Sequence, residues 1–405
     1  MKEPALLTGT IRHYDWGGVD FIPELLAINN DEKRPHAEYW LGVHPSADCR
    51  LQFSDGQTFP LREFLSDDPS GKLGPAVVQQ FGKMPYLLKA LDVRDMLSIQ
   101  VHPSKEAAIS DFAAENAKGT PLDSPQRNYK DDNHKPELMY AMGDFWLLHG
   151  FRSPELMREI LQSVPELNFL LPLFEQESYA GIYRHVMEME QVMVNETLKP
   201  LLHRILPLYH AGQLDKSYPD YWAARAHETF SAPGRTDRGI FSIYLFNLVG
   251  LKAGDAIYQA AGVPHAYVEG RNIEIMADSD NVLRGGLTTK HVNVEELLRH
   301  VRCEPTIPHI LRGEQRGHVL AFPTPAPDFE LGLIDLKAGE SASFTPATAE
   351  ILLLTDGEVT VSGSATAIKL RRGQPSGIVF PGLEITITAA SAAKVFKATV
   401  PAVNK

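Results

Sequence analysis

The sequence contains only two cysteines, Cys49 and Cys303, among 405 residues. Two cysteines are too few for a disulfide framework, and no C-x-x-C spacing occurs, so we interpret both as reduced core thiols. Any bound metal ion must therefore be held by nitrogen and oxygen ligands.

The sequence also lacks a long hydrophobic run. No stretch of about 18 apolar residues is present, and the first ten residues, MKEPALLTGT, contain no apolar segment of the kind found in secretory signals. We therefore expect a cytoplasmic protein that does not enter a membrane.

Positive charge is scarce as well. The formal net charge is −12 at pH 7, and no basic stripe is visible, which argues against a nucleic-acid-binding surface. A few lysines and arginines in one cleft can still bind a small anionic substrate, because the local field decides there. Such cations are expected close to any ligand motif.

The patterning along the chain indicates a β region, a helical insertion and a second β region. Residues 1–103 alternate short apolar runs with turn residues, as in antiparallel strands. Residues 151–235 place apolar side chains at helical spacing. After a Pro-rich passage at residues 322–327, short β-like runs return. No histidine or cysteine follows His318, so the C-terminal β region is predicted to hold no metal of its own.

Two local predictions are specific enough to be tested directly by the structure. The helical pattern over residues 192–208 is predicted to break at Pro200 and Pro207, since proline cannot donate its backbone hydrogen bond. The apolar run at residues 239–245 is predicted to be a strand.

A short segment at residues 97–103, LSIQVHP, is predicted to be the strand around which the site is built. Side chains alternate along a strand, so Ser98, Gln100 and His102 share one face and the apolar residues share the other. An amide oxygen and an imidazole nitrogen two residues apart can bind one divalent ion. A lone Q-x-H is more often a polar pair on a half-exposed strand, so the interpretation depends on further ligands.

Two further candidate ligands lie later in the chain. Glu137 stands at the beginning of an apolar run and directly follows two cationic or titratable side chains, His134 and Lys135. His265 follows Gly-Val-Pro at the beginning of a predicted strand, although a lone histidine there would more often belong to the core. The four candidate metal ligands are Gln100, His102, Glu137 and His265.

The chemistry of this donor set favours zinc. Two imidazoles, one carboxylate and one amide oxygen suit this ion and leave room for a water position, as in catalytic sites. The arrangement also resembles the cupin pattern, in which a strand H-x-H, a later glutamate and a last histidine hold a metal inside a jelly roll. Here Gln100 replaces the first histidine.

Three basic residues are candidates for contacts with an anionic ligand. Lys89 interrupts an apolar run, so it must reach solvent or point into a polar cavity. Arg284 and Lys290 lie on either side of two glycines that allow the backbone to approach a ligand closely. The alternative for this glycine segment is a solvated turn.

Six segments together resemble the type I mannose-6-phosphate isomerase family, whose members are zinc enzymes. The resemblance extends from near residue 10 to about residue 300. In the first two segments we interpret Trp16 and Trp40 as core aromatics, and Thr289 stands where the family usually has proline. The segments are YDWG at 14–17, AEYW at 37–40, SIQVHP at 98–103, NHKPE at 133–137, GVPHAY at 262–267 and NVLRGGLTTK at 281–290.

The resemblance implies a mainly β fold with a helical insertion, in three domains. A cupin-type jelly-roll catalytic domain is expected to comprise residues 1–150 and 236–315. A helical domain is expected over residues 151–235, and a C-terminal jelly-roll domain over residues 316–405.

The resemblance also implies the reaction and the residues that take part in it. It implies one zinc ion per chain, held by the four candidate ligands, and an active-site arginine at Arg284. The reaction is the interconversion of mannose 6-phosphate and fructose 6-phosphate, in which a base moves a proton between C2 and C1 through an enediol while zinc polarises a sugar oxygen. Candidates for the base are His134, Lys135 and Glu274. Candidates for substrate binding are Lys89, Ser98, Asp280 and Lys290.

Two alternatives remain at this point. A non-catalytic cupin that binds a sugar phosphate as a sensor or carrier would need a metal and cations but no base, so the group of His134, Lys135 and Glu274 counts against it. An iron-dependent cupin oxygenase would use two histidines and one carboxylate, so Gln100 counts against it. The expected partner is a small sugar phosphate, and the sequence leaves open whether the protein is a monomer.

Overall fold

A computed structural model of the chain describes residues 3–401. Residues 1–2 and 402–405, which belong to the predicted catalytic and C-terminal domains, lie outside the described residues. The described part contains 25 strands. The strands are β1 (Ala5–Thr8), β2 (Thr10–Arg12), β3 (Glu38–His44), β4 (Ala47–Asp48), β5 (Arg50–Gln52), β6 (Thr58–Pro60), β7 (Tyr86–Val93), β8 (Gln100–Val101), β9 (Glu137–Ala141), β10 (Phe145–Phe151), β11 (Phe246–Leu251), β12 (Ala256–Gln259), β13 (His265–Ala277), β14 (Leu283–Arg284), β15 (Ile310–Leu311), β16 (Glu314–Arg316), β17 (Val319–Phe322), β18 (Glu330–Leu336), β19 (Ser341–Phe344), β20 (Glu350–Asp356), β21 (Val359–Ser362), β22 (Ala367–Leu370), β23 (Ser376–Val379), β24 (Ile385–Ala389) and β25 (Ala393–Thr399).

Eleven α-helices accompany these strands within residues 3–401, and most of the helical residues lie between β10 and β11. A single 3₁₀ turn, Pro165–Leu167, lies among them. The α-helices are α1 (Phe21–Leu26), α2 (Leu61–Asp67), α3 (Pro69–Leu73), α4 (Pro75–Phe81), α5 (Lys105–Ala117), α6 (Pro154–Ser163), α7 (Leu170–Glu188), α8 (Gln191–His210), α9 (Pro219–Phe230), α10 (Gly239–Leu245) and α11 (Val294–His300).

The 12-stranded sheet carries the candidate site. Its main path has the order β15-β12-β9-β13-β7-β3-β2, and β10 and β8 are bonded to β13 beside that path. Every pairing along it is antiparallel, so directly opposed residues of neighbouring strands point to the same face. We call the face that carries Lys89, Glu137 and Glu274 the inner face.

The outer face of this sheet packs against a second sheet in one shared apolar core. The second sheet has nine strands in the order β16-β17-β18-β25-β20-β23-β1-β5-β6. Leu88, Tyr140 and Ile275 of the outer face belong to the same core cluster as Ile351 and Phe396 of the second sheet. Strands from both ends of the chain therefore build one sheet, and β1 pairs directly with β23.

The C-terminal β region is completed by a four-stranded sheet of order β19-β24-β21-β22, which packs on the second sheet around its own apolar cluster. The predicted mainly β fold with a helical insertion is confirmed. The domain boundaries at residues 150, 235 and 315 stay a prediction.

The prediction of a strand at residues 239–245 was wrong, because this segment is the helix α10. All seven of its residues are buried, so no exposed polar face marks the period of a helix. Periodicity cannot distinguish a helix buried on all sides from a buried strand.

The predicted break at Pro200 and Pro207 was also wrong. α8 continues through both prolines from Gln191 to His210. Its apolar face is buried in the helical core at residues such as Leu198 and Leu201, and this packing offsets the hydrogen bonds that each proline removes.

No helix in the described part of the chain is long and apolar enough to cross a membrane.

Candidate active site and metal centre

Three buried side chains converge at one end of the inner face. His102, Glu137 and His265 each offer a ligand atom, and these atoms all lie within 4.8 Å of one another. His102 Nε2 lies 3.4 Å from Glu137 Oε1, and His265 Nε2 lies 3.2 Å from Glu137 Oε2. Their residues are 0%, 4% and 2% exposed, so the cluster is removed from bulk water.

The backbone orients both imidazoles toward the cluster. His102 Nδ1 lies 2.8 Å from the carbonyl oxygen of Asn281, and His265 Nδ1 lies 3.0 Å from that of Val263. A carbonyl oxygen only accepts, so Nδ1 carries the hydrogen and the lone pair of Nε2 faces the carboxylate. His102 Nε2 is buried without a hydrogen-bond partner, and burial lowers the pKa of His102 to about 4. Two imidazole nitrogens and one carboxylate form a donor set that zinc accepts.

Gln100 lies beside this cluster. It is the residue directly opposite His265 in the pairing of β8 with β13, and it lines a small cavity of about 60 Å³ together with Glu137 and His265. The amide oxygen is thus available on the side of the cluster where a fourth ligand would lie.

The segment at residues 97–103 is only partly a strand. Gln100 and Val101 alone form ladder pairs, but backbone hydrogen bonds continue on either side, from Leu97 N to Tyr267 O and from Gly262 N to His102 O, each 2.9 Å long. The segment is therefore held along its length between β13 and β14, which fixes both Gln100 and His102.

A buried ion-pair network adjoins the metal cluster. Lys89 Nζ lies 3.1 Å from Glu274 Oε1 and 3.8 Å from Glu38 Oε2, and the Tyr267 hydroxyl donates to Glu274 Oε2 at 2.7 Å. Burial acts to lower the pKa of Lys89, but the neighbouring carboxylates outweigh it and raise that pKa. Burial raises the pKa of Glu274, against the opposing effect of Lys89. Lys89 is therefore held as a cation inside the sheet.

Lys135 connects this network to the metal cluster. Its Nζ lies 2.9 Å from Glu137 Oε1. Burial acts to raise the pKa of Glu137, but Lys135 and His102 outweigh it and hold that pKa well below its usual range. Glu137 is thus an anion and able to bind a cation.

A wider cavity of about 490 Å³ opens from this network toward solvent. It shares Lys89, Gln100 and Lys135 with the small cavity, so a molecule within it can reach the metal cluster. The other predicted site residues that line it are Ser98, Asp280, Arg284 and Lys290.

Arg284 is placed in this cavity by a close approach of two backbone segments. It lies opposite Gln100 in the pairing of β14 with β8, and Gly285 N donates to Ile99 O at 2.9 Å. A Cβ atom on Gly285 would meet side-chain atoms of Ile99 and Tyr183 at 2.9 Å, so this position requires glycine. Burial lowers the pKa of Arg284, which is consistent with a cation partly withdrawn from water.

His134 is not brought to the site. It lines neither cavity, and its Nε2 lies 2.9 Å from Asp328 Oδ2 in the C-terminal β region. Consecutive residues of an extended segment point in opposite directions, so Lys135 faces inward where His134 faces outward. The structure therefore argues against His134 as the base.

β3 also contributes to the cavity, which the sequence pattern did not indicate. Glu38, Trp40 and His44 line its wall. Trp40 is the core aromatic expected from the sequence, since it packs in a buried cluster with Leu87 and Met276, and it also faces the cavity. Trp40 donates to Glu38, and His44 Nε2 lies 3.2 Å from Asp280 Oδ2. The alternation of Glu38 and Trp40 along the strand was the available signal, but only the pairing with β7 shows that their shared face is the inner one.

The sequence also did not indicate that His149 and Gln259 lie next to the proposed metal ligands. His149 lies opposite His265, and Gln259 lies opposite Glu137. His149 Nδ1 and Gln259 Oε1 are 2.7 Å apart, and both residues are buried. This contact joins the strand beside one metal ligand to the strand beside another.

A cluster of nitrogen and oxygen ligands lies inside a β sheet, next to a cavity lined by buried and partly buried cations. This arrangement defines a metal-dependent enzyme of the cupin type that acts on a small anionic molecule. Comparison with known proteins gives the family. Residues 5–154 match the model of the phosphomannose isomerase type I catalytic domain. The chain belongs to the mannose-6-phosphate isomerase family, which confirms the resemblance found in the sequence.

Individual relatives support this assignment over nearly the whole chain. Mannose-6-phosphate isomerase of Escherichia coli strain K12 is 33% identical over 94% of this chain and 96% of its own length. The human enzyme is 31% identical over 94% of both chains. A crystal structure of the Salmonella typhimurium enzyme bound to its substrate fructose 6-phosphate and zinc matches with a TM-score of 0.87 and 30% identity, covering 99% of this chain and 100% of the other.

Proposed function

We propose that this protein is a zinc-dependent mannose-6-phosphate isomerase that interconverts mannose 6-phosphate and fructose 6-phosphate. The observation that carries the proposal is the buried cluster of His102, Glu137 and His265 at the base of a cation-lined cavity. The relatives are named mannose-6-phosphate isomerases, and the similar Salmonella typhimurium enzyme binds fructose 6-phosphate and zinc in its crystal structure. These findings favour the isomerase over a non-catalytic sugar-phosphate-binding protein.

We propose that Gln100, His102, Glu137 and His265 hold the zinc ion. Bound zinc would supply Lewis-acid polarisation of a sugar oxygen beside the carbon that loses its proton. The buried ligands, with both Nδ1 atoms bonded to backbone carbonyls, keep the donors in fixed orientations.

The remaining cations bind the substrate in this proposal. Arg284 and Lys290 line the cavity and can bind a phosphate group by charge-assisted hydrogen bonds. Ser98 and Asp280 line the same cavity. The Ser98 hydroxyl can donate to or accept from a sugar hydroxyl, and the Asp280 carboxylate can accept from one. Lys89, buried near the cluster, faces the reacting end and can stabilise negative charge that develops on oxygen.

Lys135 and Glu274 are the two candidates for moving the proton between C2 and C1. Lys135 lines both cavities, so it can reach a bound sugar directly. Glu274 lines only the inner one, and its two oxygens accept from Lys89 and Tyr267. The pKa of Glu274 is raised toward neutral pH, which favours general acid–base catalysis.

The function is tested by measuring turnover and metal on the same sample. The purified protein is expected to convert mannose 6-phosphate in a coupled assay and to contain about one zinc ion per chain, because the buried cluster of His102, Glu137 and His265, with Gln100 beside it, can hold one such ion. A folded, zinc-loaded sample without turnover would contradict the proposed reaction.

Isomerisation in heavy water tests the proton-transfer route. A side-chain base exchanges the abstracted proton with solvent at least part of the time, so we expect deuterium at C1 of fructose 6-phosphate, detected by mass spectrometry or NMR. Partial labelling fits a buried base such as Glu274, which is 3% exposed. Complete retention of the substrate hydrogen at every pH and over many turnovers would favour direct hydride transfer and remove the roles given to Lys135 and Glu274.

We also infer a cytoplasmic location. Both cysteines are free thiols, and reduced thiols are typical of that compartment. Cell fractionation with activity measured in each fraction would test it.

A further inference from the structure

A second cavity lies next to the substrate cavity, on the other side of the segment at residues 288–290. Its volume is about 380 Å³, within the range of small-molecule sites. Thr288, Thr289 and Lys290 line both cavities. The rest of its wall comes from residues 235–238, which precede α10, from the residues that lead into α11, and from Gln191 at the start of α8. We call it the flanking cavity.

The flanking cavity is rich in positive charge. Arg235, Arg238, Lys290 and His291 all line it, in a chain whose formal net charge is −12. None of these four residues forms an ion pair within residues 3–401. Burial and the neighbouring Arg284 lower the pKa of Lys290. Burial also lowers the pKa of Arg238, against the opposing effects of Asp237 and Glu190.

Asp237 is the acidic residue of this wall, and its carboxylate is already engaged. Oδ1 accepts from the backbone N–H groups of Gly239 at 2.7 Å and Leu287 at 2.8 Å, and Oδ2 accepts from that of Thr288 at 3.3 Å. These three hydrogen bonds hold the carboxylate against the backbone of the wall. Asp237 therefore fixes the segment that separates the two cavities, and within residues 3–401 it forms no direct ion pair with the basic side chains of this wall.

Arginine, lysine and histidine around one concave site are the groups that recognise phosphate. We propose that the flanking cavity binds a phosphate-bearing small molecule at a site distinct from the one where the sugar phosphate is isomerised. Binding there draws Lys290 away from the substrate cavity, because this side chain belongs to both walls. The ligand therefore weakens substrate binding. The binding step is independent of the proposed function, whereas the effect on substrate affinity rests on it.

Inorganic phosphate is the probe for this site, with binding measured by equilibrium dialysis. The wild-type protein is expected to bind two phosphates per chain, one in each cavity. The double substitution Arg235→Gln and His291→Gln is expected to weaken one of them by about tenfold or more, because one charge-assisted contact and one hydrogen bond to an imidazole are lost. It should leave kcat without phosphate unchanged, since neither residue lines the substrate cavity.

The matched control is Arg312→Gln, which removes a positive charge from an arginine whose side chain is 85% exposed and lies outside both cavities. This variant should keep both phosphate sites. The reciprocal variant, Arg284→Ala, should lose the site in the substrate cavity and keep the one in the flanking cavity.

Kinetics then test the coupling. Added phosphate should raise the KM for mannose 6-phosphate more in the wild-type protein than in the double variant, where only direct competition remains. A single phosphate site in the wild type, or two unaltered sites in the double variant, would overturn the proposal. A protein that shows the Arg235-dependent site but no isomerase turnover would support the flanking cavity and contradict the proposed function.

Discussion

His102→Ala and His265→Ala are each expected to remove the bound zinc and to reduce kcat/KM by more than about 100-fold. Changes to residues that merely orient metal ligands already cost about 10- to 100-fold in metal affinity or activity, and these substitutions delete a donor atom. Both imidazoles point Nε2 at Glu137 from a buried position. Water that replaced a ring would fill a cavity without supplying the fixed nitrogen.

Zinc content after gel filtration and the thermal unfolding temperature measure this result. Because a ligand bound only to the native state stabilises it, chelation should lower Tm in the wild type and change it little in the two variants. His134→Gln is the matched control, since this imidazole contacts Asp328 instead of the cluster. A His102→Ala protein that retained one zinc ion and normal turnover would remove His102 from the ligand set, and a loss of zinc in His134→Gln would contradict its placement.

Arg284→Ala is expected to lower kcat/KM while zinc remains bound, by a factor that corresponds to about 2 to 5 kcal/mol of lost transition-state stabilisation. This corresponds to a loss of about 30-fold to several-thousand-fold. Arg284 lies in a cavity wall that also contains Lys290 and forms no ion pair within residues 3–401, so its charge is available to a bound phosphate. Its removal leaves the anion without a charge-assisted partner.

Steady-state kinetics and zinc content on one preparation measure this effect. Arg312→Ala provides the control for loss of a charge, since Arg312 lies outside the cavity. Near-normal kcat/KM in a folded, zinc-loaded Arg284→Ala protein would refute the assignment of this arginine to the substrate site.

The metal cluster could be foreseen because local chemistry marks each candidate ligand. His102 directly follows the two-residue strand β8 and precedes Pro103, a turn of glycine and proline precedes His265, and Glu137 begins a buried strand. These signals depend on neighbours in sequence. The structure brings His102, Glu137 and His265 within ligand distance of one another, and their assignment to zinc stays a proposal for experiment.

The rest of the site depends on strand register, which sequence patterns do not contain. Glu38 lies on the inner face because it pairs opposite Leu91 of β7, and a shift by one residue would have reversed it. His134 was placed among the bases because it precedes Glu137, yet its partner Asp328 lies 194 residues away. Such a contact leaves no local trace.

The helical errors have the same origin. The segment at residues 239–245 is buried on all sides, and its neighbours in the fold determine its conformation. In α8 the tertiary packing of Leu198 and Leu201 overrides the local effect of Pro200 and Pro207.

The position of β1 determines when the molecule can be completed during its synthesis. Ala5 pairs with Ile378, and Leu6 pairs with Gly377 on one side and Gln52 on the other. A nascent chain emerging from the ribosome can form the pairs with β5 early, but the other edge of β1 stays open until residues 376–379 have been translated. Contacts between such distant positions slow folding, because a long loop must close first. β1 is thus enclosed on both edges only after the long intervening chain has been made, and cotranslational folding of the nine-stranded sheet cannot finish before β23 leaves the exit tunnel.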